Sequence, residues 1–214
     1  MAAASVPARV HRVLESSLPE ARASAKRQLL AESLRCFNAR GLEATTIDDL
    51  RMASGQSVGT IYHHFKNKEG LIAALLLIAI DDQSRAIAAR TDGLTESHAM
   101  VAALVTAYVE WITAQPELAN FIFLAREAVT KGPQGDELSA RLATRYEPID
   151  ACLARDVQAR RLLDLPEELI PALVLGPAEA YARAWLAGRR LATPASHAAL
   201  LAEAAWRAVA RAEA

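Results

Sequence analysis

Apolar positions recur along most of this chain at intervals of three and four residues, the spacing of one helical face. Pro19 suits the first turn of a helix. From there to Arg40 the apolar residues fall at Leu29, Leu30, Leu34 and Phe37, and Gly41 follows as a left-handed cap. A second helix is predicted over 46–54, where Thr46 and Asp49 have the spacing of a capping box in its acidic variant. It stops at Ser54-Gly55, and a third helix is predicted over 57–64. Asn67 caps a fourth, with Lys68 and Glu69 in its first turn and the apolar run Leu71 to Ile80 behind them. After the turn Thr91-Asp92-Gly93, helices are predicted over 95–115, 117–130, 136–161 and 165–187, with a last one from Pro194 to near the C-terminus. Pro148 removes a backbone donor and should kink the helix that contains it. Residues 1–17 are rich in alanine with scattered arginine, and read as a frayed helix or a mobile arm. Strand-like alternation is almost absent, so the chain reads as all-α with nine helices.

Composition agrees. Apolar residues make up 52% of the 214, enough for a substantial core, and charged residues 23%, outside the range of disordered chains. The ten-residue run from Leu71 to Ile80 is too short for a bilayer, which needs ~20 residues, and fits a buried helix instead. With no signal-type apolar core at the N-terminus, the chain is expected to be cytoplasmic and free of membrane. Cys36 and Cys152 lie inside helical patterns and read as buried, inert thiols rather than a redox pair. The net charge of -1 conceals an asymmetry: residues 1–70 carry ten Lys and Arg against seven Asp and Glu, the remainder fourteen against eighteen. A mildly basic end beside an acidic remainder suits a polyanionic partner at the N-terminus.

The break at Ser54-Gly55 carries the chemistry. Two short helices joined by a three-residue turn containing glycine form a helix-turn-helix, and neither would be stable alone. Ile47, Leu50, Ala53, Ile61 and Phe65 should face inward, covered by Leu30, Leu34 and Phe37 of the first helix. That leaves Ser57, Val58, Thr60, Tyr62 and His63 pointing out. The major groove of DNA is about 12 Å wide and admits one helix. Small residues allow close approach, hydroxyls bond phosphates or base edges, Val58 can touch thymine methyls, and Tyr62 can reach a phosphate. The helix N-termini at Thr46 and Lys68 present free amides that suit phosphates on either side.

Thr45-Thr46-Ile47 with Leu50, then Gly55, Ser57 and Gly59-Thr60-Ile61-Tyr62-His63-His64-Phe65, then Lys66-Asn67-Lys68-Glu69-Gly70-Leu71, resemble the DNA-binding signature of the TetR family of bacterial one-component repressors. The resemblance covers about residues 24–72. It departs at Gln56, where the family usually has an apolar residue: the glutamine either lies flat with its amide toward phosphate or loosens the turn. It departs again at Val58, where the family is often basic. The resemblance implies an all-α homodimer, with a three-helix DNA-binding domain over 19–67 behind an arm over 1–18. A larger domain over 68–214 would bind an inducer and dimerise. DNA contact would then fall to Thr46, Gln56, Ser57, Val58, Thr60, Tyr62, His63 and Lys68. The partners would be a double-stranded palindromic operator and a small hydrophobic inducer. The other reading is an architectural or activating DNA-binding protein without an inducer.

Beyond residue 72 the resemblance is one of outline: helix count, length and an alanine-rich final pair. Candidate inducer contacts are Tyr108, Trp111, Phe123, Arg126, Tyr146, Tyr181 and Trp185, aromatics within apolar runs and one arginine; Phe121 lies beside them. A stripe of small residues, Ala180 and Ala184, then Leu201, Ala204, Ala205 and Ala208, suits close packing of the last two helices against a second copy. No glycine-rich phosphate loop, metal-ligand spacing or nucleophile elbow is present. The adjacent His63 and His64 point ~100° apart on a helix and do not chelate one ion. The chain is therefore expected to be no enzyme, with no cofactor and no metal.

Overall fold

A computed structural model describes residues 5–158 and 161–211. It contains α1 (Ala8–Ser17), α2 (Ser24–Arg40), α3 (Ile47–Ser54), α4 (Val58–Phe65), α5 (Lys68–Thr91), α6 (Ser97–Ala114), α7 (Pro116–Thr130), α8 (Gly135–Gln158), α9 (Leu169–Leu186) and α10 (Ala198–Val209). Short 3-10 turns precede α2 and α10, at Ala21–Ala23 and Pro194–His197. The all-α reading holds, and α1 is the helix beyond the nine expected. Val10, Val13 and Leu14 of α1 are buried, so this segment is a packed helix rather than a mobile arm. No helix among the described residues is long and apolar enough to cross a membrane. The chain divides into two compact units, 1–82 with 115–140, and 83–114 with 141–214; α5 and α8 contribute residues to both.

In the first unit α2 is the central strut. Its Leu29, Leu30, Leu34 and Phe37 are fully buried, along with Leu50 of α3, Ile61 of α4 and Leu71, Leu75 and Leu76 of α5. Helix α7, expected to serve the ligand domain, packs on α2: the Phe37 and Phe121 rings stack with centroids 5.7 Å apart. A polar lattice surrounds that stack. Arg9 of α1 holds the Glu117 carboxylate in a bidentate pair, Asn38 Nδ2 donates to the Glu117 carbonyl at 2.9 Å, and Asn120 Nδ2 donates to Asn38 Oδ1 at 3.0 Å. Gly41 ends α2 with φ 84° and ψ 168°, an extended glycine conformation rather than the left-handed helical cap expected. The chain must leave α2 straight to reach α3, and only glycine adopts that geometry cheaply.

In the second unit α6 is central. Val101, Leu104, Val105, Tyr108, Val109, Trp111 and Ile112 are all buried, and a helix buried on most sides lies inside its unit. Helices α9 and α10 pack on it and on each other. Thr113 Oγ1 accepts the Ala195 amide at 3.1 Å and fixes the turn before α10. An isolated antiparallel bridge pairs Leu162 with Ala210, where Leu163 N donates to the Val209 carbonyl at 2.8 Å. Cys152 is buried against Ser97, and Cys36 is buried with its thiol pKa pushed up by burial.

Candidate nucleic-acid interface

Helices α3 and α4 meet through the turn Gly55-Gln56-Ser57. Gly55 takes a left-handed conformation (φ 68°) as the cap of α3. Ser57 then caps α4: its Oγ accepts the Thr60 amide at 3.0 Å and lies 2.9 Å from Thr60 Oγ1. Ile61 and Phe65 anchor one face of α4 in the core. The opposite face carries Val58, 40% exposed, and Tyr62, 48% exposed, with Ser57, Gly59 and His63 also at the surface and Thr60 half-buried beside them. Gln56 is half-buried, and its backbone N–H donates to Ser54 Oγ at 3.3 Å.

Gly59, absent from the residues expected at this surface, is exposed beside Val58. A Cβ there would meet only Ser57 Oγ, at 3.7 Å. The fold therefore does not require glycine at this position, although glycine weakens a helix relative to alanine.

The flanks of this face differ in chemistry. At α3 the capping box forms: Thr46 Oγ1 accepts the Asp49 amide at 3.2 Å, and Asp49 Oδ2 accepts both the Thr46 amide at 2.9 Å and the Thr46 hydroxyl at 2.8 Å. These bonds to Thr46, with the Arg40 ion pair behind them, hold the Asp49 carboxyl below its ordinary range. A phosphate at Thr46 would displace the hydroxyl's bond to Asp49. At α5 the Lys68 ammonium is turned inward, donating to the carbonyls of Leu42 at 3.1 Å and Thr45 at 3.2 Å. His64 is half-buried, and burial, then His63 and Lys26, push its pKa down. The Lys26 ammonium lies 5.3 Å from the centroid of the Phe65 ring, over its face.

The chain matches the family described as "Bacterial regulatory proteins, tetR family" over residues 29–75, the segment from the core of α2 to the first turns of α5. It is 34% identical over 100 residues to the HTH-type transcriptional repressor Rv1474c of Mycobacterium tuberculosis, covering 46% of this chain and 51% of that one. It is 40% identical over 90 residues to the HTH-type transcriptional repressor KstR2 of Rhodococcus jostii, covering 41% and 43%. Over residues 29–75 the chain is similar to the TetR family. It spans about half the length of the curated relatives it matches. Its fold is also that of TetR-family regulators. A regulator from Marinobacter aquaeolei VT8 superposes with a TM-score of 0.75 at 21% identity, over 89% of this chain and 98% of that one.

The TetR match ends before the residues expected to meet a ligand, and these divide between the two units. Phe123 and Arg126 belong to the first, where Arg126 is exposed on α7. Tyr108 and Trp111 are buried on α6 in the second. Tyr146, Tyr181 and Trp185 are half-buried there. Tyr181 donates its hydroxyl to the Ala192 carbonyl at 3.0 Å and sets its ring edge-on to His197, so it holds the turn before α10. Trp111 lines an open groove of about 460 Å³ with Ala86, Ala89, Arg90, Ala107, Glu110 and Ala114, and Arg90 and Glu110 form an ion pair in that lining. Among the stripe of small residues, Ala180 and Ala204 are exposed and Ala184, Leu201 and Ala208 half-buried. Ala205 is only 1% exposed within the single chain, so its methyl packs internally. No group of three His, Cys, Asp or Glu among the described residues is placed to hold a metal ion.

Proposed function

We propose that this protein is a ligand-responsive transcriptional repressor that binds a palindromic operator as a homodimer and is released by a small hydrophobic inducer. The exposed face of α4 carries the proposal. Ser57, Val58, Gly59, Thr60, Tyr62 and His63 offer small, hydroxyl and apolar groups on a helix narrow enough for the major groove. Residues 19–67 are assigned to DNA and 68–214 to inducer binding and dimerisation, with Gln56 and Thr46 at the margins of the DNA surface. Both relatives above are repressors, which supports the sign of regulation.

Two copies are assigned to meet through the exposed small residues of α9 and α10, Ala180 and Ala204, flanked by Ala184, Leu201 and Ala208. A twofold dimer would read half-sites ~34–36 Å apart or at a multiple of that distance. An inducer is assigned to the second unit near α6. There the lining of Trp111 and alanines suits an apolar molecule, whose acid group would compete with Glu110 for Arg90. Helix α5 contributes residues to both units, which supports it as the element through which inducer changes DNA affinity. By linkage the inducer lowers DNA affinity by the factor by which DNA lowers inducer affinity, typically about 5–150-fold.

The test begins with selection of binding sites from random duplex DNA, which should return a twofold-symmetric sequence. A screen of apolar acids for operator release follows. Symmetric binding that no compound relieves would favour an architectural or activating protein without an inducer. Failure to select any sequence would overturn the DNA-binding reading itself.

A further inference from the structure

We propose that Lys66, and not Lys68, supplies the phosphate-binding charge at the corner between α4 and α5, while Lys68 positions that corner. The proposal rests on the DNA-binding reading above and divides the labour of two lysines that the sequence presents as neighbours.

Lys68 is committed inward. Two of the three donors on its ammonium serve the Leu42 and Thr45 carbonyls, and its side chain is half-buried. It ties the loop between α2 and α3 to the first turn of α5. Lys66 is the opposite case. It is exposed, and its ammonium has no hydrogen-bond or ion-pair partner among the described residues. It is also the one described residue other than glycine with positive φ, at φ 65° and ψ -42°. The Asn67 amide donates to the Phe65 carbonyl at 2.8 Å and closes a three-residue γ-turn around it. A residue with a Cβ is strained in that turn, and glycine would fill it at less cost.

The surroundings do not allow the turn to relax. Phe65 is buried. Its carbonyl lies so close to α5 that a Cβ on Gly70 would sit 2.2 Å from the oxygen. Asn67 Oδ1 accepts the Gly70 amide at 2.7 Å and fixes the start of α5. The backbone conformation at 66 is thus imposed from both sides, at a lysine whose ammonium has no hydrogen-bond or ion-pair partner among the described residues. Strain held at a residue whose charge has no such partner is accounted for by use of its side chain outside the chain. The corner follows directly on the exposed Tyr62 and His63, so a cation there continues the surface assigned to DNA. Lysine suits the task because it binds phosphate as a point charge, without the fixed fork that arginine needs.

The experiment measures binding of the full chain to a labelled random-sequence duplex over a range of salt concentrations, by fluorescence anisotropy, with melting temperature in parallel. Each phosphate neutralised contributes about 0.9 to the slope of log affinity against log salt. K66A and K66G should each reduce the slope by about that amount, K66R should keep it, and K66G should melt no lower than the wild type. K68A should lower the melting temperature and leave the slope within a few tenths of the wild type. Unchanged slopes in K66A and K66G beside a salt-dependent wild type would overturn this proposal alone, as would a K68A slope reduced by a full charge at unchanged melting temperature. A wild type without salt-dependent duplex binding would overturn the DNA-binding reading and this proposal with it.

Discussion

Replacing Gly59 by alanine should make the protein more stable and worse at its proposed task. The substituted Cβ would point into open space, with Ser57 Oγ at 3.7 Å, an ordinary van der Waals distance, as its nearest contact. No clash offsets the gain from removing glycine's excess freedom in the unfolded chain. In a helix interior that gain is about 0.5–1 kcal/mol. Gly59 is the second residue of α4, where helical restraint is weaker, so about 0.5 kcal/mol is expected, or ~1–2 °C in melting temperature for a chain of this size. If α4 lies in a groove, the same methyl meets the DNA, and overpacking a fitted surface costs roughly 1–3 kcal/mol, about 5- to 150-fold in affinity. Urea unfolding reads the first quantity and anisotropy on a selected operator reads the second. A destabilised G59A would show that glycine is structural here. A G59A protein that binds the operator as well as the wild type would show that this face of α4 does not approach DNA closely.

Three further outcomes are expected. V58A and T60A should change which bases are preferred, by about 1–3 kcal/mol at one position of the site, whereas Y62F should weaken all sequences alike; site selection with each variant separates them. T46A removes the capping acceptor of α3 and should cost about 1 kcal/mol in denaturant unfolding. Because the folded Asp49 carboxyl is held below its ordinary range, its contribution is complete above that range and lost as pH falls toward the depressed folded value. The wild type should therefore lose its stability advantage over T46A in acid, and an advantage constant down to the lowest pH at which both fold would contradict the capping network. A204E should leave the subunit folded and shift it to monomer in light scattering. A205E should instead unfold the chain, since Ala205 is already buried within it.

Most of the fold was legible in the spacing of apolar residues, because a helix that must bury one face repeats every three to four positions whatever it packs against. The helix-turn-helix was legible in finer detail, since its caps are local: Thr46 with Asp49, the stop at Gly55 and the cap at Asn67 were readable, while Ser57, expected inside the third helix, caps it instead. Helix α1 was not secured this way. Val10, Val13 and Leu14 have helical spacing, but the segment lacks a side-chain cap, and its stability depends on α2 and on Glu117, distant in sequence. The same reason governs α7, whose periodicity predicts a helix but not its partner. The stack of Phe121 on Phe37 and the bonds through Asn38 place it in the first unit. Nor does alternation of small residues say which neighbour a methyl meets, and Ala204 and Ala205 part company only in three dimensions. Lys66 and Lys68 make the distinction sharpest. Their charges are equal on paper, but one ammonium is spent on two backbone carbonyls and the other is held out by a strained turn. Local patterns determine which segments become helices and where they stop, because those energies depend on residues within a turn or two. Which helix face, methyl or charge remains available to a partner is decided by contacts between residues far apart in the chain, and those exist only once the tertiary structure has formed.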